Sequence, residues 1–98
     1  MSIPEPGFYY HYKHDELKGF NHYAYELTSI GMHSEDSTLM VVYYPLYKTD
    51  IAPANCFVRP IDLFFDEVEY EGKILPHFTK IIDSEIILKL TEIKNTLY

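Results

Sequence analysis

With 98 residues the chain makes one domain, long enough for a single modest core. Fifteen acidic against eight basic side chains give a formal charge of -7, and the lysines stand singly, which argues against the basic stripe of a nucleic-acid binder and against attraction to an anionic membrane surface. Cys56 is the one cysteine, so no intrachain disulfide forms; no segment approaches the ~20 apolar residues of a membrane span, the N-terminus lacks an apolar signal region, and the expected compartment is a cytoplasmic one.

Ten tyrosines and six phenylalanines, with no tryptophan, favour a β-rich domain and allow an aromatic-lined binding face. Met1 to Gly7, with two prolines, reads as an extended lead-in. Phe8 to Lys13 reads as a strand whose more apolar set, Phe8, Tyr10 and Tyr12, points to the core. His14 to Gly19 is a turn or short loop. Tyr23 to Ile30 alternates as a half-buried antiparallel strand, with a bulge expected near Ser29 and Gly31. His33 to Ser37 is a turn. Leu39 to Leu46 is apolar on both faces, as in a central strand, and Pro45 should interrupt pairing on one side.

Thr49 to Asn55 reads as a surface loop and Cys56 to Val58 as a short strand. Pro60 to Phe64 has the pattern of a one-turn helix with proline in its first position. Phe65 to Tyr70 and Lys73 to Leu75 form a hairpin around Glu71-Gly72. Its acidic residues, Asp62, Asp66, Glu67, Glu69 and Glu71, read as a solvated face. The tail then changes period. Ile82, Ile86, Leu90, Ile93 and Leu97 recur at helical spacing, giving a helix from about Ser84 to Asn95 capped by Asp83 or Ser84. The expected fold is mainly β: a small SH3-like barrel or roll of about five or six short strands over residues 1–81, with a one-turn helix. Residues 82–98 form a C-terminal helix packed on the barrel or on a partner, which would make a homodimer.

Four stretches resemble, in order and approximate spacing, a bacterial and phage family known only as domain of unknown function 1653. They are Gly7-Phe8-Tyr9-Tyr10-His11-Tyr12-Lys13; Tyr25-Glu26-Leu27 leading into His33-Ser34-Glu35; Val41-Val42-Tyr43-Tyr44-Pro45-Leu46-Tyr47; and Phe57-Val58-Arg59-Pro60-Ile61-Asp62-Leu63-Phe64, continuing through Gly72-Lys73 and Pro76-His77-Phe78. The resemblance covers about residues 7–81 and leaves the terminal helix outside. It implies an SH3-type roll and carries no established activity. The family usually has Trp at the Phe57 position, a basic or polar residue at that of Tyr44 and Arg at that of His77, with tighter loops at His14–Gly19 and Lys48–Asn55. A family site built on Trp stacking or on a second cation would be altered here.

Arg59 is the only arginine. In an acidic chain it salt-bridges a carboxylate such as Glu35 or Glu26, stacks on an aromatic ring, or reads a ligand anion, and the first is the leading expectation. His33-Ser34-Glu35 invites a base-and-orienter reading, but consecutive residues do not make a triad, and in a turn they cap and pair locally. His11 and His14 fall on opposite faces of a strand, which disfavours a shared metal. The expected site is therefore a ligand-binding one. Tyr9, Tyr43 and Tyr47 line an aromatic groove, and His11, His33, Glu35 and Arg59 are its polar readers. No catalytic residue, metal or cofactor is assigned. The ligand is a protein, a peptide or a small molecule. The competing reading is a small hydrolase or metal-assisted enzyme using His33, Glu35 and Arg59.

Overall fold

The structure, a computed structural model, describes residues 4–48 and 56–97. Strands β1 (Gly7–His11), β2 (Ala24–Met32), β3 (Leu39–Pro45), β4 (Phe57–Pro60) and β7 (Phe78–Lys80) form one antiparallel sheet in the order β4-β3-β2-β1-β7. Strands β5 (Glu67–Tyr70) and β6 (Lys73–Pro76) make a separate hairpin. A 3-10 turn covers Glu16–Lys18, helix α1 covers Ile61–Phe64, and helix α2 covers Ser84–Leu97.

The mainly β class is as expected, with seven strands among the described residues where about five or six were expected. Among the described residues the sheet does not close into a barrel: β4 and β7 are its two outer strands and do not pair. The loop expected at Thr49 to Asn55 lies outside the described residues. The segment read as a turn at His14–Gly19 holds the 3-10 turn, capped by Asp15, whose carboxylate accepts from the Leu17 N–H at 2.9 Å. Pro60 stands just before α1, at its N-cap, not in the first helical position.

Alternation gives the large sheet two distinct faces. A register shift between Leu27 and Ser29 acts as the expected bulge: it sets Leu27 opposite Tyr43 and Ile30 opposite Val41, so both stay on one face. That face buries Tyr9, Tyr25, Leu27, Val41 and Tyr43 against Phe78 and the α1 residues Ile61 and Phe64. Its rings meet edge-on, as in Tyr9–Phe64 and Tyr25–Tyr43, both at 5.3 Å, or stacked, as in Phe64–Phe78 at 4.3 Å.

The other face carries Ala24, with Phe8 and Tyr10 beside it, and packs with Leu46 and Ile81 against Leu90 of α2. Asp83 caps that helix, its carboxylate accepting from the Glu85 and Ile86 N–H groups at 2.9 and 3.2 Å. Ile86, Leu90 and Ile93 of the apolar stripe lie on this core, whereas Ile82 precedes the helix and is exposed. Because the sheet is covered on both sides, β1 buries both of its faces. Tyr9, expected on the outer face, is the more deeply buried, and Phe8 and Tyr10 are half-buried under α2.

Candidate functional site

The two unpaired edges of the large sheet are joined by side chains, and Arg59 is the link. It stands on β4 opposite Val41, so its side chain falls on the aromatic face. Its Nη1 donates to the Leu63 carbonyl at 3.3 Å, lies 3.1 Å from His77 Nε2 and 3.3 Å from His77 Nδ1, and the guanidinium sits 5.5 Å from the Phe78 ring centroid. Such a placement over an aromatic face is attractive in its own right.

His77 occupies the single residue between β6 and β7. Its main chain is fixed on both sides: its N–H donates to the Asp66 carbonyl and its carbonyl accepts from the Tyr12 N–H, each at 2.9 Å. The ring is mostly buried, with Nδ1 2.7 Å from an Asp66 carboxylate oxygen. An ionised carboxylate only accepts, so Nδ1 carries the proton in the neutral ring. Arg59 Nη1, nearly equidistant from the two ring nitrogens, lies over the face of the imidazole and not along the in-plane Nε2 lone pair.

Aromatic rings wall this group. His11 meets His77 and Phe78 edge-on at 4.9 and 5.2 Å, and Tyr12 meets both His77 and Tyr70 at 5.2 Å. Burial, helped by the neighbouring His77, Arg59 and Lys13, pushes the His11 pKa down to about 4. His11 is therefore neutral near pH 7, and its Nδ1 accepts from the Lys13 N–H at 3.1 Å. Two clefts open on the surface, one of them bordered by Tyr70 of this wall. One, of about 410 Å³, lies between the 3-10 turn and the β5–β6 turn, with Lys13, Lys18, Tyr70 and Glu71 in its lining. The other, of about 220 Å³, is lined by Thr38, Leu39, Pro60, Ile61 and Asp62.

Arg59 does not clamp a carboxylate, contrary to the leading expectation for it. Among the described residues, no acid lies within ion-pair distance of its guanidinium. Glu26 cannot serve because it alternates with the buried Tyr25 and Leu27. It points to the opposite face, where it pairs with Lys94 of α2 at 3.0 Å. Glu35 is bonded to Ser34 in the exposed β2–β3 turn. Of the three readings of Arg59, ring stacking is what the structure contains, on Phe78.

The remaining expected site residues scatter. His33 and Glu35 stay within their turn: His33 Nδ1 lies 3.3 Å from Asp36 and accepts from the Glu35 N–H at 3.2 Å. Tyr9 and Tyr43 are core residues, only 6% exposed each. Tyr47 is half-buried and shares a hydroxyl hydrogen bond with Tyr25, where burial raises both phenol pKa values. His14 stacks on Tyr10 at 3.6 Å, away from His11. Among the described residues no group of three His, Cys, Asp or Glu side chains is arranged to hold a metal ion. Only His11 and Arg59 of the expected set converge. They do so around His77 and Asp66, which sequence reasoning did not select; His77 stood out only as a departure from the family's Arg.

Residues 7–80 match the family described as protein of unknown function (DUF1653), and the chain belongs to it. The fold is similar to the crystal structure of a protein belonging to the same family from Bordetella bronchiseptica. That likeness has a TM-score of 0.64 at 25% sequence identity and covers 79% of this chain and 86% of that one. No curated protein matches the chain. Among the described residues, no helix is long and apolar enough to cross a membrane.

Proposed function

We propose that this family member is a non-catalytic binding module. Its ligand, a protein segment, peptide or small molecule, lies along the aromatic wall and presents an anionic group to Arg59. The observation that carries this reading is the way the guanidinium is held. Its contacts are the Leu63 carbonyl and the rings of His77 and Phe78, none of which is an anion. Its charge is therefore not neutralised by direct pairing, while its fork of N–H donors is oriented in advance.

The surroundings suit an extended ligand. Pro60, next to Arg59, lines the smaller cleft, and Tyr70, which touches Tyr12, lines the larger one. A chain running between the two clefts would pass the guanidinium and the Tyr12–Tyr70 pair. Half-buried tyrosines offer such a ligand apolar area together with a polar tip. A hydrolytic reading finds less support. His77, the histidine a general base would have to be at this site, is mostly buried and packed between Arg59 and the rings of His11, Tyr12 and Phe78. His33 and Glu35 make their contacts within a separate turn.

The test is a titration of isotope-labelled protein with short aromatic peptides ending in a free carboxylate, each with its amidated counterpart. The free acids should move the Arg59 side-chain resonances and those of His77, Tyr12 and Phe78, and the amides should not. Arg59→Gln should weaken binding by about tenfold or more, as expected for loss of a charge-assisted contact. Shifts confined to α2, or equal binding by acid and amide, would remove the proposal.

A further inference from the structure

We propose that the module has a second contact point, formed by Tyr23, His11 and His22, which takes an uncharged carbonyl oxygen. The ligand is then the end of a peptide: its terminal carboxylate meets Arg59, and a main-chain carbonyl about three residues upstream meets this group. This rests on the reading of Arg59 as the anion-contacting group. The first sign is in the backbone. Tyr23 has φ 52, in the left-handed region that a bulky aromatic residue rarely adopts. Ser37 and Glu71 share that sign of φ, but both are exposed residues of tight turns, whereas Tyr23 is half-buried. Its strand partner holds it there: the His11 N–H donates to the Tyr23 carbonyl at 3.0 Å, and the Ala24 N–H closes the turn on the Asn21 carbonyl at 3.2 Å. The Tyr23 ring is set between two imidazoles, 5.1 Å from that of His11 and 4.9 Å from that of His22. A costly conformation fixed in this way by its surroundings is characteristic of a side chain held for contact with a ligand.

Both imidazoles add a donor. The His11 Nδ1 accepts from the Lys13 N–H at 3.1 Å, and the His22 Nδ1 accepts from the Asp15 N–H at 3.0 Å. A ring nitrogen that accepts carries no proton, so each imidazole holds its proton on Nε2. Among the described residues neither Nε2 nor the Tyr23 hydroxyl has a hydrogen-bond partner, and none of the three atoms is shut off from solvent. A ligand that covers them takes away their water and must supply an acceptor in its place. The donors are uncharged, so an uncharged carbonyl oxygen suits them. The spacing fits the Arg59 site. His11 lies 4.9 Å from the ring of His77, on which the guanidinium rests, and Tyr23 is one ring further on. Tyr23 is thus within about 10 Å of His77, a distance that about three residues of extended chain cover at about 3.3 Å each. The wall forks at His11, with Tyr12 and Tyr70 on one arm and Tyr23 and His22 on the other. A chain end at Arg59 would lay side chains on the first arm and turn a carbonyl toward the second.

The probes are N-acetyl-phenylalanine and its extensions with one, two and three glycines between the acetyl group and the phenylalanine, each as free acid and as amide, titrated against isotope-labelled protein. Affinity of the free acids should step up about fivefold once two glycines are present, the gain from one well-placed hydrogen bond, and level off with the third. Tyr23→Phe keeps the ring and the backbone and removes the hydroxyl. It should bind N-acetyl-phenylalanine as the natural protein does and lose the step. A flat series in the natural protein, with the free acids still preferred over the amides, overturns the carbonyl contact and leaves the Arg59 reading standing. A step that survives in Tyr23→Phe overturns the carbonyl contact too. Equal binding of acid and amide, or binding of neither, removes the Arg59 reading and this inference with it.

Discussion

The two faces of the five-stranded sheet solve the same packing problem with different materials. Under α2 the contacts are largely aliphatic, Leu46, Ile81 and Leu90 around Ala24, and the layer ends in the Glu26–Lys94 ion pair. On the other face the contacts are mostly between rings, and the layer ends in Arg59, His77, Asp66 and His11. Both ends hold cations, but Lys94 is neutralised by a carboxylate and Arg59 is not. The helix face is closed by satisfied partners. The aromatic face ends in a cation held by a carbonyl and by rings. The difference separates a layer closed by paired charges from the layer that carries the proposed binding site.

The strongest way to break this comparison is to empty each core in turn. Phe64→Ala should cost about 3–5 kcal/mol and Leu90→Ala about 2–5 kcal/mol, measured by denaturant unfolding. Leu90→Ala should leave the Arg59 and His77 resonances in place while Phe64→Ala disturbs them, since Phe64 stacks on Phe78 beneath the guanidinium. Equal disturbance by both would mean that the faces are one coupled unit.

Acid should act next, and through the aromatic face. His11 falls from 6.5 in a free side chain to about 4 here. As pH drops through that window the unfolded chain binds the proton first, so stability declines from about 6.5 down to about 4 and this contribution then levels off. Unfolding curves at the two ends should show that fall in the natural protein and a smaller one in His11→Gln. Leu90→Ala should keep the natural slope. A smaller effect separates the two cations: Arg59→Gln should cost about 1 kcal/mol through its lost stacking and carbonyl contact, and Lys94→Gln about 0.5 kcal/mol, as for a partly exposed pair. Equal losses would erase the contrast between them. The smallest change falls on the hairpin that follows Asp66. Glu71 has φ 53 and Gly72 φ 78, a turn for which Asn-Gly is preferred. Glu71→Asn should therefore raise the unfolding midpoint by the equivalent of about 0.5 kcal/mol without altering the His77 resonances.

Alternation made most strands legible. Tyr23 to Ile30 announces period two over enough residues to fix both faces, Leu39 to Leu46 shows as a run apolar on both, and the bulge showed as broken parity. β7 escaped because Phe78–Lys80 is three residues long and follows Pro76-His77 without a pattern of its own. The site was less legible for a related reason. Arg59 was conspicuous as the only arginine, but its partner depends on how far the sheet curls, a property no local pattern records. Curling brings His77, eighteen positions away, against it. His33, Ser34 and Glu35 failed to reach the same place because consecutive residues in a tight turn satisfy one another first. Tyr9 and Tyr43 are half-polar rings that alternation alone could place on either side of a wall.

The strand order also bears on how the chain folds as it is made. β2, β3 and β4 follow one another and can zip as neighbours soon after each is synthesised, whereas β1 is made first yet lies between β2 and β7. Its second partner, Phe78–Lys80, emerges almost seventy positions later. Until then β1 keeps a row of unsatisfied backbone groups, and neither Phe78 nor His77 is in place to cap the aromatic layer. The nascent domain should therefore pass through a sheet with one open side. The last strand to leave the ribosome completes the sheet and the Arg59 cluster in the same step.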